Sequence, residues 1–173
     1  GRHLLNLISD VLDLSKIEAG RLEVDLQRTR LGVIATEVID ALRPNAEVKG
    51  LHLALNIESD PEVNADPLRM KQAMFNLVGN AIKFTNEGEV EVVLRGESRM
   101  VQLSVRDTGI GIPQDKLDTI FESFTQADRS TTRQYGGTGL GLGISSELVE
   151  MMQQGEESAP EMSQGPSHAA SSR

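Results

Sequence analysis

The sequence predicts an α+β domain, a two-layer α/β sandwich, preceded by a helix of the bundle type. Segments with strand and helix patterns mix without strict βαβ alternation, which favours one layer of helices packed on one sheet. Hydrophobic residues make up 38% of the 173 residues but aromatic residues only 3%, so the core is expected to be aliphatic. We divide the chain into a helix (1–20), a main domain (21–152) and a tail (153–173).

The first segment, residues 3–19, has apolar residues at alternating spacings of three and four, namely Leu4, Leu7, Val11 and Leu14. Further leucines and isoleucines widen this stripe beyond what a lone surface helix needs, so it predicts a bundle or coiled-coil helix. A core helix of the same domain is the alternative. Gly20 is the expected stop.

The main domain is expected to alternate irregularly between strands and helices. Pro67 suits the first turn of a helix that runs to about Phe84. The predicted order is a strand (22–27), a helix (31–48), a strand (51–57), a turn-rich segment (59–67), the helix from Pro67, a strand pair (88–96 and 101–107), a short helix (113–121), a loop (122–137) and a helix (139–152).

The bulk composition excludes several classes of function. A net charge of −9 argues against a general nucleic-acid binder, and the absence of cysteine excludes disulfides, thiolate catalysis and cysteine zinc sites. No apolar run is long enough to span a membrane. The tail contains no Ile, Leu, Val, Phe, Tyr or Trp and is expected to be disordered. Because Gly1 is not a native start, we expect a piece of a longer chain.

The first candidate site lies in "NLVGNAIKFT", residues 76–85. Asn76, Asn80 and Lys83 occupy positions i, i+4 and i+7, which share one face of a helix. An amide oxygen is a hard, neutral ligand for Mg²⁺, and an ammonium matches the charge of a phosphate. This stripe therefore suits a metal–phosphate group, although three ordinary surface residues are the alternative.

Two glycine-rich segments follow. In "DTGIGIP", residues 107–113, Asp107 ends a strand, and a buried carboxylate there accepts a hydrogen bond from an exocyclic amine such as that of adenine; a plain β-turn is the alternative. In "YGGTGLGLGIS", residues 135–145, glycines expose backbone N–H groups where a helix begins, which favours phosphate binding. Thr138 is its expected cap, and a flexible linker is the alternative.

The order "NLVGNAIKFT", "DTGIGI", "FESFTQ", "GGTGLGLGIS" resembles the N, G1, F and G2 boxes of sensor histidine kinase catalytic domains. These domains have the Bergerat fold of the GHKL ATP-binding superfamily. The leading "LISDVLDLSKIEAGRLE" resembles the end of the dimerisation helix of the same two-component kinases, especially the hybrid type. The resemblance covers about residues 3–152.

The resemblance implies ATP and Mg²⁺ as cofactors and assigns residues box by box. Asn80 would coordinate the magnesium ion, Lys83 would contact phosphate and Asp107 would bind the adenine amine. Gly143 would contribute to a lid hinge, with Arg133 and Tyr135 as further lid contacts. The other ATP-binding residues that it implies are Asn76, Gly109, Gly111, Ile112, Phe121, Phe124, Gly137, Thr138, Gly139, Leu140 and Gly141.

By this resemblance the chain is the ATP-binding portion of a cytoplasmic kinase that dimerises through its N-terminal helix. It would transfer the γ-phosphoryl group to a histidine outside this chain, for relay to a response-regulator receiver domain. His3 is followed by "LLNL" and does not match the family's acceptor. Hydrolysing relatives carry a glutamate at the position of Asn76, and an amide cannot act as a general base.

The end of the chain departs from the family, whose two last apolar strands are expected to be missing here. One alternative function is therefore a degenerate kinase-like binding or dimerisation module without activity. A second alternative, a hydrolysing GHKL ATPase, is disfavoured by Asn76.

Overall fold

The computed structural model describes residues 8, 11–13, 15–17, 19–97, 100–117, 120 and 140–158. Within these residues, the main domain contains three long helices, five strands and one short 3-10 helix. In chain order they are β1 (Gln27–Arg30), α1 (Leu31–Val48), β2 (His52–Ile57), β3 (Glu62–Ala65), α2 (Pro67–Phe84), β4 (Glu89–Glu97), β5 (Met100–Asp107), the 3-10 helix (Gln114–Lys116) and α3 (Gly141–Ser158).

The strands form two sheets. β2, β4 and β5 form the larger sheet, in which β2 runs parallel to β4 and β4 pairs antiparallel with β5. β1 and β3 form a separate antiparallel pair, in which Gln27 lies opposite Ala65. The helices pack on one side of the larger sheet, which confirms the predicted two-layer α/β sandwich.

The core lies between the larger sheet and helices α1 and α2. Val90, Val92 and Leu94 alternate along β4 and are completely or almost completely buried, as expected when every second side chain of a strand faces the core. From the helices, Val38 and Val78 are buried in the same cluster. The core is aliphatic, as the composition predicts.

Helix α2 begins where its sequence predicts. Asp66 is the N-cap, and its Oδ1 accepts hydrogen bonds from the backbone N–H groups of Leu68 (3.0 Å) and Arg69 (3.1 Å). Pro67 occupies the first helical position, where its missing N–H group costs nothing. The helix ends at Phe84, with Thr85 as its C-cap.

The predicted strand at 22–27 is wrong, because β1 begins only at Gln27. The backbone N–H of Asp25 donates to Asp66 Oδ2 (3.0 Å) instead of joining a strand ladder, and Leu22 packs against α3. The segment predicted as a turn contains β3, whose partner is β1. Both strands are short and largely polar, so hydrophobic alternation gives little signal for either of them.

Two helices also differ in extent from the prediction. In the described part of the segment where a short helix is expected (113–121), the structure has a 3-10 helix of three residues, Gln114–Lys116. Helix α3 begins at Gly141 and extends to Ser158, beyond the expected end at 152 and into the segment expected to be disordered. The rest of the tail and the loop expected at 122–137 lie outside the described residues, as do the positions where any later strand would follow.

The N-terminal helix ends against the main domain. Residues 11–13 and 15–17 are helical, and the N–H of Gly20 donates to Ile17 O (2.9 Å) in the turn that follows. Asp13 is buried, and its Oδ2 accepts from Arg69 Nη1 (3.1 Å) and Gln72 Nε2 (3.0 Å) of α2. None of the helices that the structure describes is long and apolar enough to cross a membrane.

Candidate functional site

Helix α2 brings the three residues of the first motif to one face. Asn76, Asn80 and Lys83 lie within α2 at helical spacings, and each is half-buried. Because they stand on a helix packed into the core, their spacing is rigid. Their proposed ATP and metal contacts stay predictions, but the structure gives the three side chains distinct surroundings.

Asn76 links α2 to α3. Its Nδ2 donates to Gly141 O (3.3 Å) and to Ser145 Oγ (3.3 Å). Ser145 is buried, and its own hydroxyl donates to Gly141 O (2.7 Å). A Cβ at Gly141 would lie 3.3 Å from Asn76 Cγ, so glycine allows this close approach. The amide of Asn76 therefore holds the start of α3 beside α2.

Helix α3 begins within the third motif, residues 135–145. The side chain of Leu140 is buried with Ile144, Leu148 and Leu22, so any contact of Leu140 with a nucleotide would come from its backbone. The first turn of α3 begins at Gly141, directly beside the α2 face. The first N–H groups of a helix have no partner within the helix and favour an anion.

The loop after β5 lies against the other end of the same helix. The N–H of Ile110 donates to Phe84 O (3.2 Å), and the N–H of Gly109 donates to Asp107 Oδ1 (2.9 Å). A Cβ at Gly109 would lie only 2.5 Å from Phe84 O, a distance that real side chains do not reach. Glycine at this position thus lets the Asp107–Gly111 loop reach the last turn of α2.

Asp107 is exposed, and the expectation of a buried carboxylate is wrong. The residue lies opposite Val90 in the ladder, which puts its side chain on the helix-facing side of the sheet. It stands at the end of β5, where α2 has already stopped and no described helix covers it. Ile112, five residues further along the chain, is also exposed. Gly111 before it has a left-handed backbone with φ 69°.

Lys83 stands where α2 and this loop meet. Its Nζ lies 4.9 Å from the centre of the Phe84 ring, a distance at which a cation is attracted to an aromatic face. Partial burial lowers the pKa of Lys83 below its ordinary value, because desolvation disfavours the ammonium form. An anion bound beside it would raise this pKa again, because it stabilises the ammonium form.

The donor atoms fit a magnesium ion held mainly by its nucleotide. The described part of the chain has no group of three or more His, Asp or Glu side chains placed to hold a metal ion. Mg²⁺ is commonly bound through one or two protein oxygens together with phosphates and waters. The amide oxygen of Asn80 can supply such a ligand, and no hydrogen bond occupies the Asn80 side chain within the described residues.

Five of the predicted nucleotide-binding residues lie outside the part that the structure describes: Phe121, Phe124, Gly137, Thr138 and Gly139. The lid residues Arg133 and Tyr135 lie outside it as well. The structure also adds residues that sequence reasoning missed. Ser145 accepts a hydrogen bond from Asn76 at the start of α3, and Thr108 accepts one from the N–H of Glu89 beside the Asp107–Gly111 loop. Lys49 binds the end of α2. Among these contacts, the sequence indicates only the one between Ser145 and Gly141, because the two residues are one helical turn apart.

Comparison with protein families gives a match to the family described as "Histidine kinase-, DNA gyrase B-, and HSP90-like ATPase". It covers residues 65–169, which is more than half of the chain. The signal transduction histidine-protein kinase BarA of Escherichia coli (strain K12) is 45% identical over 157 residues. That match spans 87% of this chain but 17% of BarA, and the first curated relatives are all covered over 21% or less of their length.

Solved structures show the same likeness. Full-length ShkA in complex with AMPPNP superposes with a TM-score of 0.77 and 35% identity, over 87% of this chain and 31% of ShkA. Histidine kinase ThkA in complex with the response regulator protein TrrA superposes with a TM-score of 0.66 and 25% identity, over 87% of this chain and 42% of ThkA.

Proposed function

Since the chain belongs to the histidine kinase-, DNA gyrase B- and HSP90-like ATPase family, we propose that it is the ATP-binding catalytic portion of a sensor histidine kinase. It binds ATP on the α2 face and transfers the γ-phosphoryl group to a histidine of a dimerisation helix. The observation that carries this proposal is the arrangement around α2. The start of α3 lies at Asn76 and the Asp107–Gly111 loop lies at Phe84, with Asn80 and Lys83 between them.

Each residue has a separate task in this proposal. Asp107 accepts a hydrogen bond from the adenine amine, and the exposed Ile110 and Ile112 offer apolar contacts to the base. Lys83 contacts phosphate, and Asn80 supplies an amide oxygen to Mg²⁺. The magnesium ion, when bound, neutralises charge on the phosphates and orients them. The family resemblance alone assigns Phe121, Phe124, Gly137, Thr138 and Gly139, which lie outside the described residues, to the phosphate contacts and the lid.

Asn76 supports transfer rather than hydrolysis. Its amide donates to Gly141 and Ser145, so it braces α3 and does not take a proton from water. Without a general base at this place, water attack on the γ-phosphate is slow. ATP can then remain bound until an imidazole is presented, and catalysis depends on positioning and charge neutralisation.

The partners in this proposal are a second copy of the chain and a receiver domain. Ile8, Val11 and Leu12 of the N-terminal helix are exposed apolar residues, as expected of a helix that packs against another chain. The ThkA–TrrA complex supports a response regulator as the next acceptor. We place the protein in the cytoplasm, where ATP is available. In this proposal residues 1–20 are the end of the dimerisation helix, residues 21–152 are the ATP-binding catalytic domain and residues 153–173 are a tail.

Phosphoryl transfer is the direct test. The chain is incubated with γ-labelled ATP, Mg²⁺ and a separately purified dimerisation helix pair that carries an acceptor histidine. We expect acid-labile label on that fragment and little free phosphate when the fragment is left out. Binding of ATP without any transfer would instead favour a regulatory binding module. Rapid phosphate release by the chain alone would favour a hydrolysing ATPase.

Base selectivity tests the adenine contact. We expect Asp107→Asn to reduce the preference for ATP over GTP by roughly tenfold, since a hydrogen bond to a charged group is lost. Competition of each nucleotide against a fluorescent ATP analogue measures this preference. Asp115→Asn is the matched control, because Asp115 is exposed on the nearby 3-10 helix. Unchanged selectivity in Asp107→Asn would exclude the assigned contact.

A further inference from the structure

The last turn of α2 depends on groups from outside the helix. Helix ends leave carbonyl groups without intrahelical donors. Here Ala81 O accepts from the Thr85 N–H (3.1 Å), and Phe84 O accepts from the Ile110 N–H (3.2 Å). The carbonyls of Ile82, Lys83 and Thr85 are bound by a single side chain, that of Lys49.

Lys49 comes from the end of α1, more than thirty residues earlier in the chain. Its Nζ lies 2.8 Å from Ile82 O, 2.8 Å from Lys83 O and 3.0 Å from Thr85 O. An ammonium has three N–H donors, so these three bonds use all of them. A cation at this end also interacts favourably with the helix dipole.

The backbone of Lys49 is itself held in place. Its N–H donates to Ala46 O (3.1 Å), and the N–H groups of Gly50 and Leu51 donate to Glu47 O (2.9 Å) and Ala46 O (3.0 Å). These three bonds close the end of α1. The long side chain therefore starts from a defined point, although the residue as a whole is exposed.

The turn that Lys49 binds is the one that carries the candidate phosphate contact. Lys83 lies in this turn, Asn80 lies one turn earlier, and the Asp107–Gly111 loop attaches to Phe84 between the carbonyls that Lys49 binds. We propose that Lys49 is a positioning residue for the ATP site. It holds the end of α2 so that Lys83 and the attached loop keep the geometry that binds the nucleotide.

This inference rests on the proposed function and adds a residue that does not touch the nucleotide. The effect of net charge on ATP affinity has to be separated from the effect of positioning, because removal of any lysine makes the chain more negative. Lys71 supplies the matched control. It lies on α2, and its Nζ also bridges to α1 through Glu37 Oε2 (2.7 Å), but far from the last turn. Lys49→Met and Lys71→Met therefore change net charge equally.

The first measurement is Mg-ATP affinity of the full chain by calorimetry, at a temperature where circular dichroism shows each variant folded. We expect Lys49→Met to bind roughly tenfold more weakly than the wild type and Lys71→Met within about twofold. We expect Lys49→Arg to recover part of the loss, since guanidinium donates to carbonyls but with a different geometry. Unchanged affinity in Lys49→Met, or equal losses in both Met variants, would overturn the proposal.

The second measurement is hydrogen exchange without nucleotide, which does not depend on the proposed function. Amides 82–85 should exchange faster in Lys49→Met, while Met70 at the start of α2 should exchange as in the wild type. Unchanged exchange at 82–85 would overturn the role of Lys49. A folded wild-type chain that fails to bind Mg-ATP would overturn the proposed function, and exchange would still decide whether Lys49 holds the helix. If Lys49→Met does not fold, Lys49→Arg is measured in both experiments, with unchanged affinity and exchange as the contradicting result.

Discussion

The two ends of helix α2 are stabilised in different ways. At the first end, Asp66 caps the helix from the adjacent position in sequence, and the same carboxylate also accepts from Asp25. At the last end, Thr85 makes a local bond to Ala81 O, and the other bonds come from Lys49 and Ile110, which lie on other elements. At the first end, the cap is encoded locally, and long-range bonds from Asp25 and Asp13 add to it. The last end depends on long-range contacts and carries the candidate ATP site.

This difference separates stability from binding. The first end has buried, fully bonded polar groups, so changes there should affect folding. The last end carries the half-buried polar side chains of Asn80 and Lys83 at a fixed helical spacing, so changes there should affect nucleotide affinity. Variants that change one end at a time test this separation.

Asn80→Ala should have the largest effect, a loss of Mg²⁺-dependent ATP affinity of about 100-fold or more, because the proposed metal ligand is removed. Its thermal unfolding should stay close to that of the wild type. Asn76→Ala should retain more affinity, since Asn76 acts through α3. Calorimetry with Mg-ATP measures both. Equal losses in the two variants would contradict their different roles.

Asp66→Ala should show the opposite behaviour. It removes the N-cap bonds to Leu68 and Arg69 and leaves the Asp25 N–H without its acceptor. We expect the free energy of unfolding to fall by about 2–3 kcal/mol. Urea denaturation measures the change, with Asp40→Ala on the exposed face of α1 as the control. A loss below that of the control would show that the cap is not what stabilises this end.

The first end of α2 also holds the N-terminal helix through a buried ion pair. The side chains of Asp13 and Arg69 are only 11% and 16% exposed. In a double-mutant cycle with Asp13→Ala and Arg69→Ala, we expect a coupling energy of roughly 1–2 kcal/mol. The exposed pair Glu37–Lys71, at 54% and 41%, should couple by about 0.5 kcal/mol or less. Similar coupling energies in the two pairs would show that the buried ion pair is no stronger than the exposed one.

The smallest expected effect is a proton linkage at Lys83. Burial lowers the pKa of Lys83 in the free protein, and a bound phosphate should raise it again. Binding should therefore take up a fraction of a proton at alkaline pH, and ATP affinity should fall as pH rises through the pKa of the free state. Calorimetry in buffers of different ionisation enthalpy measures the uptake. Uptake that persists in Lys83→Met would assign it to another group.

The sequence predicts both bounds of α2 but not the contacts made at its last end, and the reason is physical. Asp66 followed by Pro67 is a local start signal, and the spacing of Asn76, Asn80 and Lys83 follows from helical periodicity alone. The bonds of Lys49 and the pair Asp13–Arg69 join residues far apart in sequence, and no local pattern encodes them. The short polar strands β1 and β3 were missed likewise, because pairing across the fold creates them.

Asn76 shows the same limit within the site itself. The sequence places it on the correct helix face and marks it as an amide rather than a carboxylate. Its bonds to Gly141 and Ser145 depend on where α3 packs, which the spacing within α2 does not specify. The burial of Asp107 was predicted wrongly for a similar reason, since exposure at a strand end depends on which element covers it.

A calorimetric titration of the wild-type chain with ATP, in Mg²⁺ and again in EDTA, tests the proposed ATP site as a whole. We expect saturable binding of one ATP per chain that weakens strongly without Mg²⁺, because in the proposed site Asn80 acts through the metal while Lys83 and Asp107 contact the nucleotide directly. Absence of binding by folded protein would exclude the proposed site. Equal affinity in Mg²⁺ and in EDTA would contradict the assignment of Asn80.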